Sequence, residues 1–574
     1  MNKTDWDLSA LYKDERELED SIEHVKTKAS NFSKIYKNNL KNLTVLEFNE
    51  CLSGYETVLQ MLERIMTYAS LKFAQNSNNG VFYAKCQNIC TNCGEYLLFF
   101  ELEFNRLNLE IQKLFIASSG KYAYFLKELA KEKPHQLSLN TESVLLKKEQ
   151  TGANAFSRLF DEYFSNLKFS YEGKKISEEE ILSLLHNKDR NTRKNAAKIF
   201  TKELKKHQKL LSFIFNMIKR DLKTECEIRN YKSAEEQRHK DNKISQKSVD
   251  ALIRTAENSF DLAQEYYDKK REILGFDKLY DYDRHAPLED KEETFEYEKS
   301  QEIVLSALEA FSPVFAKIAK QAFEEGWIDV YPKPFKRSGA FSHSATVDTH
   351  PFVLLNHTNQ RRDLFTLAHE LGHTIHQYLS RNVGHLLSDT PLTTSETASV
   401  FAEMLVFDEM KKNADKKTKR AMLSSKLEDI FATLYRQINF TTFERAVHVK
   451  DDELSLEEFN EIWMRESGKM FGKSVELTDD YKIWWSYIPH FIHTPFYCYA
   501  YAYGQLLVLA LFGLYKNNEM VDFKKKYLEF LSAGGSKSPK ELVSIFGFDI
   551  EDEKFWQIGI NEIKKLVDEF KEID

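Results

Sequence analysis

Two histidines and a glutamate in the middle of the chain have the types and spacing of a metal-dependent hydrolase. They form the motif His369-Glu370-Leu371-Gly372-His373. Residues four apart on an α-helix lie on the same face, about 6 Å apart along the axis, so both imidazoles can bind one ion. Glu370 is offset sideways, so its carboxylate reaches a water on that ion instead of the ion itself. The predicted chemistry is zinc-dependent hydrolysis, in which zinc lowers the pKa of water and the carboxylate takes its proton.

A hydrolytic zinc site usually has a third protein ligand. In one class of zinc peptidases, the third ligand is a histidine six residues beyond the motif, and a glycine lies three residues beyond the motif. Here those two positions are Leu379 and His376, which excludes that class. Glu396, 23 residues after His373, can return on a following helix. Because Thr393-x-x-Glu396 also reads as a capping box, the spacing alone leaves both the ligand and the capping role open.

Two further residues near the motif are candidates for supporting roles. Glu403 lies two helical turns beyond Glu396, on the same face. We expect it to accept a hydrogen bond from His369 or His373, although an isolated glutamate is more often a surface acid. His376 lies seven residues after His369, on the same side of the predicted helix, but a third ligand at this position would crowd the helix axis. A supporting or solvent-facing role is therefore predicted for His376.

The elements that must position these residues are one long helix and a small sheet before it. The helix is predicted from about Thr358 to about Leu379, because apolar residues recur at helical spacing. That stripe consists of Leu364, Ala368, Leu371, Ile375 and Leu379. Residues 327–357 combine prolines, glycine and β-branched residues, which predicts a small sheet. Eight of the ten prolines lie at or after Pro313, so the first half predicts long helices.

Composition sets limits on the class of protein. The 574 residues exceed one ordinary core, so two or more lobes are expected. With 30% charged and 42% hydrophobic residues and a net charge of −8, the chain reads as soluble and globular, without nucleic-acid binding. The N-terminal residues lack the apolar segment of a secretory signal. The stretch from Phe496 to Tyr515 is long and nearly uncharged, but Gln505, two glycines and five tyrosines predict a buried helix and no membrane partner.

The six cysteines fit a reducing cytoplasm without disulfides. Three of them, Cys86, Cys90 and Cys93, have the spacing associated with radical iron–sulfur enzymes. Their flanks read as helical and not as a glycine-rich loop after a strand. The spacing therefore favours three thiols on one helix face, where they behave as small hydrophobic groups.

Taken together, the motifs resemble the thimet-oligopeptidase-like (M3) zinc metallopeptidases, and in particular the oligoendopeptidase F branch. The central match is the His369-Glu370-x-x-His373 helix followed by Glu396-x-x-Ser399-x-x-x-Glu403. The other matching segments extend over nearly the whole chain and are Trp6–Tyr12, Gly339–Ser342, His350–Asn356, Leu364–His369, Ile488–Phe491 and Tyr497-x-Tyr499-x-Tyr501.

The resemblance implies a fold, a cofactor and an activity. The implied fold is mainly α, a two-lobed helical shell around a deep substrate channel with a small β-sheet next to the His-Glu-x-x-His helix, of the gluzincin type. The implied site is one zinc ion bound by His369, His373 and Glu396, with Glu370 as general base. The implied activity is cytoplasmic hydrolysis of internal bonds in short unfolded peptides. A helical lobe is expected at 1–190 and a catalytic lobe at 191–574, with an approximate boundary because the lobes can interleave, in a monomer or weak homo-oligomer.

The family also places a histidine and tyrosines from a late segment over the substrate carbonyl, where they would stabilise the oxyanion. Carried to this sequence, that role favours His490 and Tyr497, with Tyr501 close behind. His493 competes with His490 and is otherwise expected to bind substrate. Gly504 stands where the mammalian-type members have a further tyrosine. Which tyrosine polarises the carbonyl therefore stays open.

The residues before the metal helix are candidates for binding the peptide. Gly339, Ala340 and Phe341, with the strand Pro351–Asn356, could offer a free strand edge to an extended substrate. Two alternatives are a carboxypeptidase on the same fold and a non-catalytic helical scaffold that binds peptides. The intact Glu370 argues against a scaffold with a structural zinc, because such sites normally have four protein ligands.

Overall fold

The structure is a computed structural model that describes residues 3–288 and 293–573. Helices dominate it, which confirms the mainly α fold. In the first half they are Glu15–Tyr36 (α1), Val45–Gln75 (α2), Gly80–Gly94 (α3), Phe99–Arg106 (α4), Leu109–Ser118 (α5), Ala123–Lys131 (α6), Leu139–Glu149 (α7), Ala153–Asn166 (α8), Glu178–Ser183 (α9), Arg190–Arg229 (α10), Glu236–Asp241 (α11), Gln246–Glu257 (α12) and Phe260–Ile273 (α13). The remaining helices are Tyr297–Phe311 (α14), Pro313–Glu325 (α15), Arg361–Ser380 (α16), Leu392–Ser395 (α17), Thr397–Asn413 (α18), Lys416–Thr433 (α19), Tyr435–His448 (α20), Leu456–Phe471 (α21), His490–His493 (α22), Cys498–Lys516 (α23), Phe523–Ser532 (α24), Pro539–Ser544 (α25) and Glu553–Glu572 (α26).

Two small sheets accompany the helices. The predicted one contains Ile328–Asp329 (β3), Phe341–His343 (β4) and Phe352–Leu354 (β5), in the order β3-β5-β4. β5 runs parallel to β3 and antiparallel to β4. The free strand edge expected at Pro351–Asn356 is not there, because β5 is paired on both sides. The outer strand on the side away from β3 is β4.

The second sheet is a hairpin that the sequence interpretation missed. Phe169–Tyr171 (β1) pairs with Lys174–Ile176 (β2) through a two-residue turn. Both turn residues, Glu172 and Gly173, have positive φ, as hairpin turns matching the strand twist require. The glycine was the available signal for this turn.

Helix α16 forms close to where its apolar pattern predicted. Asp363 accepts hydrogen bonds from the backbone N–H of Thr358 (2.7 Å) and of Gln360 (3.0 Å), which fixes the start of the helix. The first four residues of the predicted stripe are fully buried, and Leu379 is half-buried. β4 is tied to this helix, since Ser342 Oγ donates to Gln377 Oε1 at 2.7 Å.

The chain forms two compact units, each assembled from three segments. The first contains Met1–Pro134, Glu292–Lys412 and Asn518–Gly547, and the second contains His135–Lys291, Asn413–Asn517 and Phe548–Asp574. The chain therefore passes between units five times. These units are defined by packing, and the lobe boundary near residue 190 stays a prediction.

The three spaced cysteines lie on α3 of the first unit, as the sequence predicted. Cys86 and Cys93 are buried and Cys90 is half-buried, and all six cysteines of the chain are free thiols. Burial raises the pKa of each of the three, that of Cys90 to about 12. Such thiols are unreactive core groups.

The apolar helix α23 belongs to the second unit and packs along α26. A Cβ on Gly559 of α26 would lie 2.8 Å from the carbonyl oxygen of Leu506, so the absence of a side chain permits this close contact. Among the described residues α23 is the one helix long and apolar enough to cross a membrane, and 89% of its apolar window is buried inside the protein. The predicted buried helix is confirmed.

Candidate active site

Three side chains of the first unit bring their donor atoms together at the spacing that zinc requires. The Nε2 atoms of His369 and His373 lie 3.1 Å apart. Glu396 Oε2 lies 3.4 Å from the first of these nitrogens and 3.3 Å from the second. A tetrahedral zinc ion with bonds of about 2.0–2.2 Å needs neighbouring donors about 3.3–3.5 Å apart. The three residues fit a zinc ion, and in the described part of the chain no other group of histidine, cysteine and acidic side chains is arranged so that it could hold a metal.

Glu396 reaches this position from the short break between α17 and α18. α17 begins at Leu392, with Pro391 at its N-cap and no side-chain cap, so Thr393 lies inside the helix instead of before it. The capping box that the spacing allowed is therefore not formed. Ser399 Oγ donates instead to Glu396 Oε2 at 2.7 Å and holds the carboxylate beside the imidazoles.

Acidic neighbours surround the two imidazoles. Glu403 Oε1 lies 2.6 Å from His369 Nδ1, so that nitrogen donates and Nε2 is left for a metal. Burial lowers the pKa of His369, but Glu403 and the charges of Glu396 and Glu370 outweigh it and raise the pKa to about 9. Burial raises the pKa of Glu396, but the two imidazoles outweigh this effect and lower the pKa to about 2. The site thus attracts cations, and a metal must displace a proton to bind.

Glu370 is placed differently from the three donor residues. Its side chain lies on the same helix, but it is not a member of the metal-binding group. It is only 6% exposed, and burial raises its pKa. A carboxylate with a raised pKa is a better proton acceptor near neutral pH than an ordinary surface glutamate.

Gly372 allows the two segments that carry the candidate zinc ligands to approach each other. A Cβ at this position would overlap the carbonyl oxygen of Ala398 and lie 2.5 Å from Ser399 Cα. Both obstacles are backbone atoms of α18, which cannot move without moving Glu396. The crossing of α16 and α18 at this glycine therefore sets the distance between the histidines and the glutamate.

We expect Gly372→Ala to weaken zinc binding by about 10-fold and to cost about 1–3 kcal/mol of stability, because the new methyl group pushes α18 away. Competition with a chromogenic zinc chelator and thermal unfolding of the metal-free protein measure the two effects. Gly468→Ala is the matched control, since a Cβ at Gly468 of α21 meets nothing within 4 Å. Equal zinc affinity in both variants would contradict the assigned role of this crossing.

The backbone around Glu396 is held by two side chains. His376, 4% exposed, forms a hydrogen bond with the backbone of Ser395, and burial lowers its pKa to about 3. The Tyr527 hydroxyl from α24 donates to the carbonyl oxygen of Thr397 at 2.8 Å. Sequence reasoning missed Tyr527, because nothing in its local pattern connects it with Thr397, which lies 130 residues earlier.

The predicted substrate loop lies in the first unit, next to α16. Gly339 has φ +79°, a conformation that glycine adopts without strain, and Ala340 connects it to the half-buried Phe341 at the start of β4. Asn356 Nδ2 donates to the carbonyl oxygen of Gly339 at 2.8 Å. Trp6 packs against Phe341 with ring centres 6.4 Å apart, so the N-terminal segment also supports this strand.

The late histidine and tyrosines form a cluster in the second unit. His490 Nε2 lies 3.3 Å from the Tyr501 hydroxyl. The ring of Tyr497 lies 6.2 Å from that of His490 and 5.0 Å from that of Tyr501. His493 points elsewhere, with its Nε2 atom 2.8 Å from Asp161 Oδ1. Of the two competing histidines, only His490 shares a cluster with the tyrosines.

A strained turn precedes this cluster. Phe496 has φ +59°, which is uncommon for a residue with a side chain. Its N–H donates to Glu444 Oε1 at 2.8 Å, and both side chains are fully buried. Glu444 therefore fixes the backbone immediately before Tyr497. Only the three-dimensional contact reveals this role.

Comparison with protein families identifies two matching models. Residues 183–562 match peptidase family M3, and residues 103–169 match oligopeptidase F. Oligopeptidase PepF of Bacillus subtilis is 28% identical over an alignment that covers 99% of this chain and 87% of the relative. The oligoendopeptidase F homolog of Lactococcus lactis is also 28% identical, with 99% and 98% of the two chains covered.

Solved structures show the same fold. A structure from Chlamydophila abortus matches with a TM-score of 0.89 and 23% identity, covering 100% of this chain and 98% of the other. Oligoendopeptidase-F from Enterococcus faecium matches with a TM-score of 0.72 and 21% identity, covering 97% and 99%. At these identities the likeness establishes the fold of the chain.

Proposed function

This chain belongs to peptidase family M3, and we propose that His369, His373 and Glu396 hold its zinc ion, with Glu370 as general base. The resemblance of the motifs is therefore confirmed, and the protein is a metalloendopeptidase that acts on oligopeptides. The observation that carries the site assignment is the triangle of donor atoms, with sides of 3.1, 3.3 and 3.4 Å. Members of this family are generally zinc enzymes, which agrees with that spacing.

In the proposed mechanism, bound zinc would polarise the scissile carbonyl and lower the pKa of a water molecule. Glu370 accepts the proton of the attacking water and returns it to the leaving amine. Glu403 keeps His369 in the tautomer whose Nε2 has a free lone pair and would hold the zinc ion. His490, Tyr497 and Tyr501 donate hydrogen bonds to the oxyanion that forms on the substrate carbonyl.

The proposed substrates are short unfolded peptides that bind in an extended conformation. The outer edge of Phe341–His343 would pair with the peptide backbone, and Gly339 and Ala340 would adapt to it. His493 would contact the peptide outside the oxyanion cluster, which consists of His490, Tyr497 and Tyr501. We place this activity in the cytoplasm, since all six cysteines are free thiols.

Product analysis by mass spectrometry tests the endopeptidase function. We expect peptides blocked at both ends to be cut at internal bonds, because the proposed catalytic groups do not require a free terminus. A carboxypeptidase would cut only peptides with a free C-terminus. A peptide-binding scaffold would leave every peptide intact, and either result would contradict the proposal.

A further inference from the structure

Arg436, on α20, is a half-buried cation without an anionic partner in the described part of the chain. One of its terminal nitrogens, Nη2, donates to the Tyr487 hydroxyl at 3.0 Å. Its Cζ atom lies 5.0 Å from the ring centre of Phe440. Its Nε is shielded from solvent and meets no acceptor among the described residues. This guanidinium requires an explanation, because buried donors and charges are normally paired.

Four other buried or half-buried cations of the second unit show a contrast. Their charges are matched by carboxylates within 2.9 Å, in the pairs Arg190 with Asp283, Arg193 with Asp283, Arg445 with Glu235 and Lys270 with Glu428. Arg436 has only a phenol and an aromatic face. An arginine that is neither exposed nor neutralised retains its full capacity to bind an anion.

Packing connects Arg436 with the segment that carries His490, because Phe440, whose ring lies against the guanidinium, packs edge-on against Phe491 with ring centres 5.4 Å apart. Burial lowers the pKa of His490, and the positive charge of Arg436 lowers that pKa further. Tyr487 precedes His490 by three residues in the chain. A peptide whose carbonyl contacts His490 and Tyr501 would therefore bring its flanking groups near this guanidinium.

The surroundings of Arg436 keep the guanidinium in one orientation. The ring of Tyr487 packs edge-on against Phe200 and Trp484, with ring centres 5.1 and 5.9 Å away. Its hydroxyl is thereby fixed, and it orients the guanidinium without neutralising it. A guanidinium held in place by a neutral acceptor is suited to the paired oxygens of a carboxylate.

We propose that Arg436 binds a carboxylate group of the peptide substrate and so determines specificity for acidic groups close to the scissile bond. The carboxylate belongs to the peptide C-terminus or to an aspartate or glutamate side chain, two sources with the same chemistry. This inference rests on the proposed function, because it takes the substrate carbonyl to lie at His490 and Tyr501.

Four matched peptides test this proposal. Their C-terminus is either free or amidated, and the side chain near the cleaved bond is either acidic or the corresponding amide. For the wild type we expect a lower KM for the carboxylate peptides. In Arg436→Gln, KM for those peptides should rise about 10-fold or more, with little change for the fully amidated peptide. The peptide whose preference disappears identifies the source of the carboxylate.

Two variants separate recognition from a structural role. Tyr487→Phe removes the hydrogen bond that orients Arg436 but keeps the guanidinium, so the preference for carboxylates should weaken without disappearing. Arg254→Gln is the matched control, because Arg254 is an exposed arginine that pairs with Glu553. An equal KM increase for all four peptides in Arg436→Gln, or the absence of any carboxylate preference in the wild type, would overturn the proposal.

Calorimetry with the Glu370→Gln variant keeps this inference separate from the proposed function. Binding of the four uncut peptides to that variant measures carboxylate recognition without turnover. If the wild type cut none of the peptides while the variant still preferred carboxylates, the proposed function would fail and the recognition site would stand. Equal binding of all four peptides would overturn the recognition site alone.

Discussion

Glu370→Gln should lower kcat by about 10³-fold while leaving zinc bound. Glutamine has the size of glutamate but cannot accept a proton from water, and a general base contributes about 10²–10⁴-fold to such reactions. Zinc should be retained, because Glu370 is not among the three residues whose donor atoms form the metal-binding triangle. Steady-state kinetics on a short peptide and metal analysis of the purified variant measure the two quantities.

The control for this substitution is Glu409→Gln, which changes a glutamate of α18 that pairs with Lys412. It should leave kcat unchanged, since it alters the same chemical group outside the proposed site. A Glu370→Gln enzyme that kept kcat within a few-fold of wild type would refute the general-base assignment. A variant that lost its zinc would show instead that Glu370 belongs to the metal-binding set.

The metal helix could be predicted well because its signals are local. The apolar stripe of α16 and the His-Glu-x-x-His motif can both be recognised from helical spacing within about twenty residues. Four residues of the stripe are fully buried, as that spacing predicts. The small sheet before it was visible from its prolines and β-branched residues. The β1–β2 hairpin was missed, because its strands have three residues each and only Gly173 marks the turn.

The role of Glu396 could not be decided in the same way. A capping box and a metal ligand on a following helix have the same local sequence, so no pattern within ten residues separates them. What separates them is the crossing at Gly372, which is a contact between two helices. Because α18 packs against α16, the Glu396 carboxylate lies beside the histidines. Helix α17 begins at Leu392, before Thr393, so Thr393 cannot be its N-cap.

The late segment illustrates a second limit of sequence reasoning. Tyr497, Tyr499 and Tyr501 alternate along the chain, yet only two of them join His490. Tyr499 is fully buried and its hydroxyl lies 2.9 Å from His239 Nδ1 in the core. The strained turn at Phe496 immediately precedes these tyrosines, and its N–H binds a glutamate 52 residues earlier, a contact that no local pattern reveals.

Zinc removal and loss of Glu396 are expected to have the largest effects on activity. A strong chelator should abolish peptide hydrolysis by the wild type, and added zinc should restore it, because two imidazoles and one carboxylate are the only donors of the proposed site. Activity that survived complete metal removal would refute a metal-dependent mechanism.

Glu396→Ala should weaken zinc binding by at least about 100-fold, because it removes one of three donors, whereas loss of a supporting partner typically costs 10–100-fold. Competition with a chromogenic chelator measures that affinity, and Glu409→Ala on α18, the helix that follows Glu396, is the matched control. The capping interpretation predicts a different result, namely a stability loss of about 0.5–2 kcal/mol with zinc affinity unchanged. Because Glu396 sits 3.3–3.4 Å from both imidazole nitrogens and caps no helix through Thr393, we expect the affinity to fall and hydrolysis to fall with it.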